Sequence, residues 1–340
     1  MTNNFVGDRS DFDAFLLNRG LMQPGEAAHW QPLTGGVSSD IWRVDLPGRS
    51  LCVKRALPKL KVSADWEAPI SRNAYEWAWL QFAAIHCPEN VPRPLAHDPK
   101  AGLFAMSYLA IEHHPVWKEQ LLAGHVDAST AAAVGRLMGC LHASSARSMT
   151  LAAQFDTDDS FYALRLEPYL VACAARYPEL AEQLYGIVKR TAACKLALVH
   201  GDVSPKNILV GPKGPVLLDA ECAWFGDPSF DLAFCLNHLL LKGLKRQGQT
   251  VGLRTSFHAL AEAYFDQVDW EPRQALEARA ASLLPALLLA RVDGKSPVEY
   301  LTSEDQRKIV RDHAIPLLSK PVHQLLPIAD TWYDRIVRCG

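Results

Sequence analysis

Three oxygen-bearing side chains stand next to short apolar runs in the middle of the chain. Asp202 lies in a polar loop between the runs 196–199 (LALV) and 208–210 (ILV), and Asn207 ends that loop. Asp219 ends the next apolar run, VLLD. Apolar runs of this length between turn signals predict strands, so two carboxylates and one amide should meet at strand ends. Such hard oxygen ligands suit Mg²⁺, which also takes oxygens from substrate phosphates.

This set of side chains fits phosphoryl transfer. That reaction needs metal ions to offset phosphate charge and a carboxylate that orients or deprotonates the attacking hydroxyl. The D-x4-N spacing from Asp202 to Asn207, with a strand-terminal Asp twelve residues later, supplies both. The alternative is an ordinary β-turn-β in which these side chains satisfy turn backbone. It would require three separate runs, including GDP-x2-D at 226–231, to agree by accident.

These runs carry a resemblance to a known family. HGDVSPKN (200–207), VLLDAE (216–221) and GDPSFDLAF (226–234) resemble the catalytic and metal-binding loops of the aminoglycoside phosphotransferase and choline kinase family. Members of that family are small-molecule kinases related to the protein kinases. The resemblance covers residues 30 to 240, with weaker likeness beyond. It implies ATP as phosphoryl donor and Mg²⁺ as cofactor.

The resemblance also implies roles for single residues. Asp202 would be the catalytic aspartate, and Asn207 and Asp219 would be metal ligands. Asp231 would be a structural carboxylate that opens a helix. Lys206 has two open interpretations, because it could neutralise charge on the transferred phosphoryl group or only cap the loop in solvent.

A glycine-containing turn in the N-terminal part is the candidate phosphate cover. The run TGGVSSD (34–40) lies between two predicted strands. Gly35 and Gly36 would allow close backbone approach, and Ser38 or Ser39 could donate hydrogen bonds to phosphate. The run departs from G-x-G-x-x-G, and a plain hairpin turn is the competing interpretation.

Lys54 is the candidate phosphate-binding cation. It stands mid-strand between apolar neighbours in LCVKRAL (51–57), where an inward lysine needs an anionic partner. The competing interpretation is a solvent-facing lysine of an edge strand. By resemblance, Lys54 contacts the α- and β-phosphates and pairs with a helix glutamate. Glu76 is the best-placed candidate, with Glu67 second, although Glu76 could also be a solvated helix carboxylate.

The elements that must position these residues form two lobes. Residues 1–108 read as a small antiparallel sheet with one main helix at 71–86, and residues 109–340 as a large helical lobe. We therefore predict an α+β, bilobal, protein-kinase-like fold with a ligand cleft between an N-terminal nucleotide-binding lobe and a C-terminal catalytic lobe. The segment 107–112 (SYLAIE) would join the lobes and offer backbone groups to a purine, without distinguishing ATP from GTP. Helices are expected at 127–145, 159–175, 178–194, 229–243, 253–267, 272–293 and 322–337.

The acceptor should be a small molecule. Only eleven residues separate Asp219 from Asp231, which is too few for the peptide-docking segment of a protein kinase. The helix end LLLARVDGKSP presents Arg291 and Asp293, which are our candidates for acceptor contacts. A glycine after the last helical turn explains Gly294 as a helix stop. No acidic cluster suits a polycationic aminoglycoside, and a sugar or a carboxylate-bearing metabolite fits better.

Composition excludes several other classes. The 340 residues carry a net charge of −2 without a basic block, so binding to nucleic acid or to an anionic membrane is not expected. The longest apolar run, Leu283–Ala290, is too short to span a bilayer, and the first residues lack the apolar region of a signal peptide. The eight cysteines form no C-x-x-C pair, which favours reduced thiols in a cytoplasmic protein. A catalytically silent nucleotide-binding regulator of the same fold is the remaining alternative.

Overall fold

An antiparallel sheet forms the N-terminal lobe of the computed structural model, which describes residues 10–33, 39–57 and 71–339. Within these residues, five strands follow the spatial order β1-β2-β3-β5-β4 and pair antiparallel throughout. They are β1 (His29–Pro32), β2 (Ser39–Leu46), β3 (Arg49–Ala56), β4 (Pro94–Asp98) and β5 (Leu103–Ser107).

Two helices cover the two faces of this sheet. On one face, α1 (Ser10–Asn18) buries Phe12, Phe15 and Leu16, whose i, i+3, i+4 spacing puts them on one side of the helix. On the other face, α2 (Arg72–His86) packs against β3 and β5. Because successive strand residues point to opposite faces, Lys54 faces the α2 side and its neighbour Val53 the α1 side.

The rest of the described chain is mostly helical. Its helices are α3 (Trp117–Ala123), α4 (Ala128–Ser145), α5 (Met149–Gln154), α6 (Asp158–Phe161), α7 (Ala172–Arg176), α8 (Ala181–Ala193), α9 (Ser229–Lys245), α10 (Thr250–Phe265), α11 (Arg273–Asp293), α12 (Glu304–Ser319) and α13 (Leu325–Cys339). A π-helix, Tyr162–Val171, joins α6 to α7. Single 3-10 turns occupy Pro88–Asn90, Pro178–Leu180, Pro205–Asn207 and Gln247–Gln249.

The central element of this lobe is α9. Each of its residues from Ser229 to Leu244 is buried, because α4, α10, α11 and α13 pack around it. A helix that is enclosed on all sides can be apolar on all sides, and LAFCLNHLLL has that composition. The polar residues Asn237, His238 and Lys242 are exceptions within this part of the helix.

Two small two-stranded ladders frame the loops singled out in the sequence. Strand β6 (Ala197–Val199) pairs with β9 (Trp224–Gly226), and β7 (Ile208–Gly211) pairs with β8 (Gly214–Leu217). The predicted order of strand, polar loop, strand, turn and strand is therefore confirmed for 196–219.

The predicted fold class is confirmed, and the elements differ in detail. The prediction left 94–98 unassigned, and it did not include α1, α3, α5 or α12. The single helix predicted at 159–175 contains a π-helix around Pro168, a residue that cannot donate the regular backbone hydrogen bond. No helix of the described ranges is long and apolar enough to cross a bilayer.

Candidate active site

Asp202 is buried in the loop between β6 and β7 and faces an amide and two cations. Its Oδ2 accepts a hydrogen bond from Asn207 Nδ2 at 2.9 Å. Lys206 Nζ and Arg165 Nη2 lie 3.1 Å and 3.2 Å from the same oxygen. Burial by itself raises the pKa of Asp202, but the charges of Lys206 and Arg165 outweigh it and hold the pKa below its usual value. The carboxylate is therefore ionised at neutral pH.

The start of α9 holds the Asp202 loop in place. The Asp231 carboxylate accepts the backbone N–H groups of His200 at 2.7 Å and Gly201 at 2.9 Å. Asp231 also lies 3.2 Å from Nε2 of His142, whose Nδ1 is 2.9 Å from the hydroxyl of Tyr264. These groups are buried, so they form a structural network below the loop. This arrangement agrees with the structural role expected for Asp231.

Lys54 is buried between two carboxylates from different lobes. Its Nζ donates to Oε1 of Glu76 on α2 at 2.7 Å and to Oδ1 of Asp219 after β8. Burial lowers the pKa of Lys54, but Asp219 and Glu76 raise it above its usual value. Burial raises the pKa of Glu76 to about 7, and the Lys54 charge opposes that shift. Neither Lys54 nor Glu76 is a solvated surface residue, since they are 2% and 5% exposed.

Asp219 has an unusual backbone conformation. Its φ of 66° lies in the left-handed region, which non-glycine residues seldom adopt and which clusters at functional sites. Burial raises the pKa of Asp219, but the Lys54 and Lys206 charges lower it to well below its usual range. Two residues further on, Oε2 of Glu221 accepts from Nε of Arg72 on α2 at 3.1 Å. The loop after β8 is thus fastened to the N-terminal lobe at two points.

The donor set around Asp202 suits a hard cation. Because Asn207 uses its amide nitrogen on Asp202, its amide oxygen is left as an acceptor. Asp219 is ionised and uses Oδ1 for Lys54, which leaves its second oxygen. One carboxylate and one amide oxygen, completed by phosphate oxygens, form the kind of partial shell in which proteins hold Mg²⁺. The residues predicted as metal ligands therefore fit the group chemically.

Of the four residues predicted to cover the phosphates, Ser39 lies within the described part of the chain. Gly35, Gly36 and Ser38, and the second-choice glutamate Glu67, lie outside the described residues. Ser39 is the first residue of β2, is 3% exposed and pairs with Ala56 of β3. Its contact with phosphate stays a prediction.

The connection between the lobes follows β5 directly. Ser107 Oγ accepts the N–H of Arg93 at 2.9 Å, and Ser107 N donates to the carbonyl of Arg93. The carbonyl of Ala110 accepts from the backbone N–H groups of His113 and His114. The interaction of segment 107–112 with a purine stays a prediction.

Asp293 is enclosed by a set of structural contacts. Arg311 of α12 donates to both its oxygens, at 2.7 Å and 2.9 Å. Arg176 lies 3.0 Å from Oδ1, and the Tyr177 hydroxyl donates to Oδ2 at 2.6 Å. A carboxylate with both oxygens engaged has little capacity left for an acceptor. The geometry favours a structural role over the predicted acceptor contact, and it could not be foreseen because α12 was not predicted.

Arg291, the second predicted acceptor residue, is only partly engaged. Its Nη1 donates to the Tyr169 hydroxyl at 3.2 Å and to Ser296 Oγ at 3.0 Å. Its Nε is buried and has no hydrogen-bond partner among the described residues. The chain thus leaves the buried Nε donor of Arg291 available for a ligand.

Sequence reasoning missed Arg165. The residue sits on the π-helix, and besides Asp202 it contacts the carbonyl of Gly201 through Nε. The available signal was a single arginine in the apolar run FYALRLEPYLV, with a proline three residues later. A buried arginine requires anionic or carbonyl partners, so this signal indicated a charged site without identifying it.

The family of the chain follows from comparison with known proteins. Residues 29–276 match the model of the phosphotransferase enzyme family (APH). The chain belongs to this family. The resemblance predicted from the three loops is therefore confirmed.

Relatives of known name are small-molecule kinases. The methylthioribose kinase of Cronobacter sakazakii is 25% identical in an alignment of 278 residues that covers 73% of this chain and 68% of that protein. The methylthioribose kinase of Bacillus velezensis is 27% identical in an alignment of 229 residues that covers 59% of this chain and 57% of that protein. The matches span two thirds of the first relative and little more than half of the second. By family and by relatives, the chain is a small-molecule phosphotransferase that acts on a hydroxyl group, as predicted.

Solved structures share the two-lobed fold. The ethanolamine kinase of Plasmodium vivax superposes with a TM-score of 0.59 at 10% identity, covering 94% of this chain and 93% of that one. The amicoumacin kinase hAmiN, solved with AMP-PNP, Ca²⁺ and Ami, has a TM-score of 0.55 at 15% identity and covers 95% and 98%. Identity this low supports the fold alone.

Proposed function

We propose that this phosphotransferase moves the γ-phosphoryl group of ATP to a hydroxyl of a small molecule in a Mg²⁺-dependent reaction. The observation that carries the proposal is Asp202, which is buried, ionised and held by Asn207, Lys206 and Arg165. Its charge and that of Asp219 act on each other, so both carboxylates belong to one site. A catalytic carboxylate beside a metal-binding carboxylate is the arrangement that phosphoryl transfer requires.

In this proposal each polar group has one task. Lys54 binds the α- and β-phosphates, and Glu76 orients Lys54. Asn207 and Asp219 hold Mg²⁺, which offsets negative charge on the phosphates when it is bound. The turn with Gly35 and Gly36, and with Ser38 or Ser39, would cover the phosphates.

Asp202 acts on the acceptor. Its carboxylate accepts the hydrogen bond of the acceptor hydroxyl and fixes the direction of that oxygen. As the bond from this oxygen to the γ-phosphorus forms and the bond to the leaving ADP oxygen breaks, Asp202 receives the hydroxyl proton. Most of the rate enhancement then comes from positioning and from charge compensation.

The chain after Asp219 supports a small acceptor. Strand β9 and the first two residues of α9 take up five of the eleven residues between Asp219 and Asp231. The remaining chain is too short for a platform that could dock a peptide.

Seven cysteines of the described residues are free thiols, which supports a reducing, ATP-rich compartment such as the cytoplasm.

The test separates nucleotide binding from phosphoryl transfer. Hydroxylated metabolites are first screened with the wild-type protein, ATP and Mg²⁺, with mass detection of a phosphorylated product. Asp202→Asn should then lower kcat for the best acceptor by about a thousandfold or more, while calorimetry finds Mg·AMP-PNP binding within about threefold of wild type. Asp266→Asn, at an exposed carboxylate after α10, is the control and should behave as wild type.

Two results would refute the proposal. One is full turnover by Asp202→Asn. The other is a wild-type protein that phosphorylates no acceptor, which would favour the catalytically silent regulator if it still binds nucleotide.

A further inference from the structure

Three buried polar side chains and one half-buried arginine of the helical lobe lie close together and carry unused polar atoms. They are His238 and Lys242 on α9, Arg291 at the end of α11, and Tyr300, and we refer to them as the basic cluster. The Lys242 ammonium lies 4.0 Å above the Tyr300 ring and has no ion pair or hydrogen bond within the described chain. Nε2 of His238, Nε of Arg291 and the hydroxyl of Tyr300 also lack partners among the described residues. Lys242 is 1% exposed, so water does not replace these partners freely.

The protein supplies the basic cluster with little negative charge. Burial, with the nearby charges of Lys118 and Arg291, lowers the pKa of Lys242 to about 7. Glu299 and Glu119 act on Lys242 in the opposite direction, but both are exposed, and Glu299 is paired with Lys118 at 2.5 Å. Burial and the surrounding cations also hold the pKa of His238 well below its usual value. A buried ammonium without a counter-charge is costly, and such groups occur where a ligand completes the site.

The basic cluster adjoins the catalytic loop. Arg165, which contacts Asp202, lies with its guanidinium 5.9 Å from the centre of the Phe234 ring. The Phe234 ring is in turn 5.4 Å from the His238 ring. On the other side, α3 packs against both α9 and the turn Pro205–Asn207. The charge of Lys206, whose ammonium contacts Asp202, also acts on His238, so the cluster lies close to the Asp202 loop.

We infer that the acceptor carries an anionic group, a carboxylate or a phosphate, which the basic cluster binds while the hydroxyl of the same molecule faces Asp202. This inference rests on the proposed kinase function and narrows its substrate class to hydroxy acids and sugar or polyol acids and phosphates. Lys242 and Arg291 supply the charge, and Tyr300 and His238 supply further hydrogen bonds. A cationic acceptor would be repelled by the same residues.

Acceptors matched in shape and different in charge provide the first test. The wild-type protein is assayed with sets in which one hydroxylated skeleton carries a carboxylate, a phosphate, an amide or an amine. We expect kcat/KM to be at least about tenfold higher for an anionic member than for its amide, and lowest for the amine. Comparison of the carboxylate and phosphate members identifies the anionic group. A preference for amides or amines would overturn the inference while leaving the kinase function intact.

Lys242→Met provides the second test, because methionine is unbranched, is only one atom shorter than lysine and carries no charge. KM for the anionic acceptor should rise by at least about tenfold, KM for ATP should stay within about twofold, and the amide should be unaffected. Lys245→Met, on the exposed end of the same helix, is the control and should match wild type. An equal rise in KM for the anionic acceptor and for the amide would overturn the inference.

A binding measurement keeps the inference testable without turnover. Glycerate and glycerol 3-phosphate are titrated into wild-type protein, Lys242→Met and Asp202→Asn, and thermal unfolding is followed, with glycerol as the neutral control. Stabilisation by at least one of the two anions should persist in Asp202→Asn and disappear in Lys242→Met. Free Lys242→Met should itself melt at a higher temperature than wild type, because an unpaired buried charge is gone. If neither anion stabilises the wild-type protein, or if Lys242→Met retains the stabilisation, the inference fails.

Discussion

Lys206 follows Asp202 by four residues in the same loop and forms an ion pair with it. Its Nζ is 3.1 Å from the carboxylate while about half of the side chain remains exposed. Burial raises the pKa of Asp202, and Lys206 makes the largest opposing contribution. The lysine therefore helps to keep the proposed base in its ionised form. This role differs from the two considered from sequence, which were phosphoryl neutralisation and capping of the loop.

Replacement of Lys206 by methionine distinguishes these roles. Without the ammonium, the pKa of Asp202 should rise, so the ionised form is lost at a higher pH and the acid limb of the kcat/KM profile moves upward. Lys206→Arg should keep the wild-type limb. If Lys206 instead neutralises the transferred phosphoryl group, kcat will fall at all pH values and the limb will not move. Lys213→Met, in the exposed turn between β7 and β8, controls for loss of a surface charge.

The sequence was sufficient to predict which residues come together where these residues belong to one short run. The spacing of Asp202, Asn207 and Asp219 was sufficient to bring them together, because the strands between them fix their distances. The contact of Arg165 with this loop was not predictable, because Arg165 lies outside the run and on a π-helix. The contacts of Asp293 were not predictable either, because its partner Arg311 is contributed by a separate helix.

The loop before Asp202 depends on a tight fit between elements. Gly201 has a φ of 78°, and a Cβ built on it would lie 2.5 Å from the carbonyl oxygen of Cys222. The same residue donates its N–H to Asp231 at the start of α9. A side chain at this position would therefore strain the backbone and displace the loop from its anchor.

Gly201→Ala should lower both activity and stability. Strain of this kind costs about 1–3 kcal/mol of unfolding free energy. A displacement of the Asp202 carboxylate should reduce kcat by about a hundredfold. Denaturant unfolding and steady-state kinetics measure the two effects. Gly248→Ala is the control, since its Cβ would meet no atom within 4 Å, and equal effects of the two substitutions would contradict the prediction.

Elements with strong periodicity were predictable, and short or irregular ones were not. The helix expected at 71–86 is α2 with a shift of one residue, and α9 and α11 begin within one residue of the predicted positions. Strand β4 begins with a proline and is partly exposed at every position, so it shows no alternation. Helix α1 buries only three residues of a short segment with two acidic residues in its first turn, and its partner surface on the sheet is set by tertiary packing.

For the whole molecule, the relation between the lobes is the property most relevant to turnover. Lys54 contacts Asp219, and Arg72 contacts Glu221, so two ion pairs connect the sheet and α2 with the loop after β8. Asp219 and Glu221 are two residues apart and lie next to the site proposed for Mg²⁺. A bound Mg·nucleotide would therefore contact both lobes at the same time, through Lys54 on one side and Asp219 on the other. Its binding should stabilise the molecule as a unit.

This coupling predicts how ligands shift thermal unfolding. A ligand at a hundred times its Kd stabilises the native state by about 2.7 kcal/mol, which should raise the Tm by a few degrees. AMP-PNP with Mg²⁺ should shift the wild-type Tm more than AMP-PNP with EDTA. Asp219→Asn should lose this magnesium-dependent difference, because the amide is a weaker ligand, while some magnesium-independent shift through Lys54 remains.

Without ligand, Asp219→Asn should also melt below wild type, since Lys54 loses one of its two anionic partners. The control Asp159→Asn, at an exposed carboxylate of α6, should keep the full difference. An undiminished magnesium-dependent shift in Asp219→Asn would place the cation elsewhere.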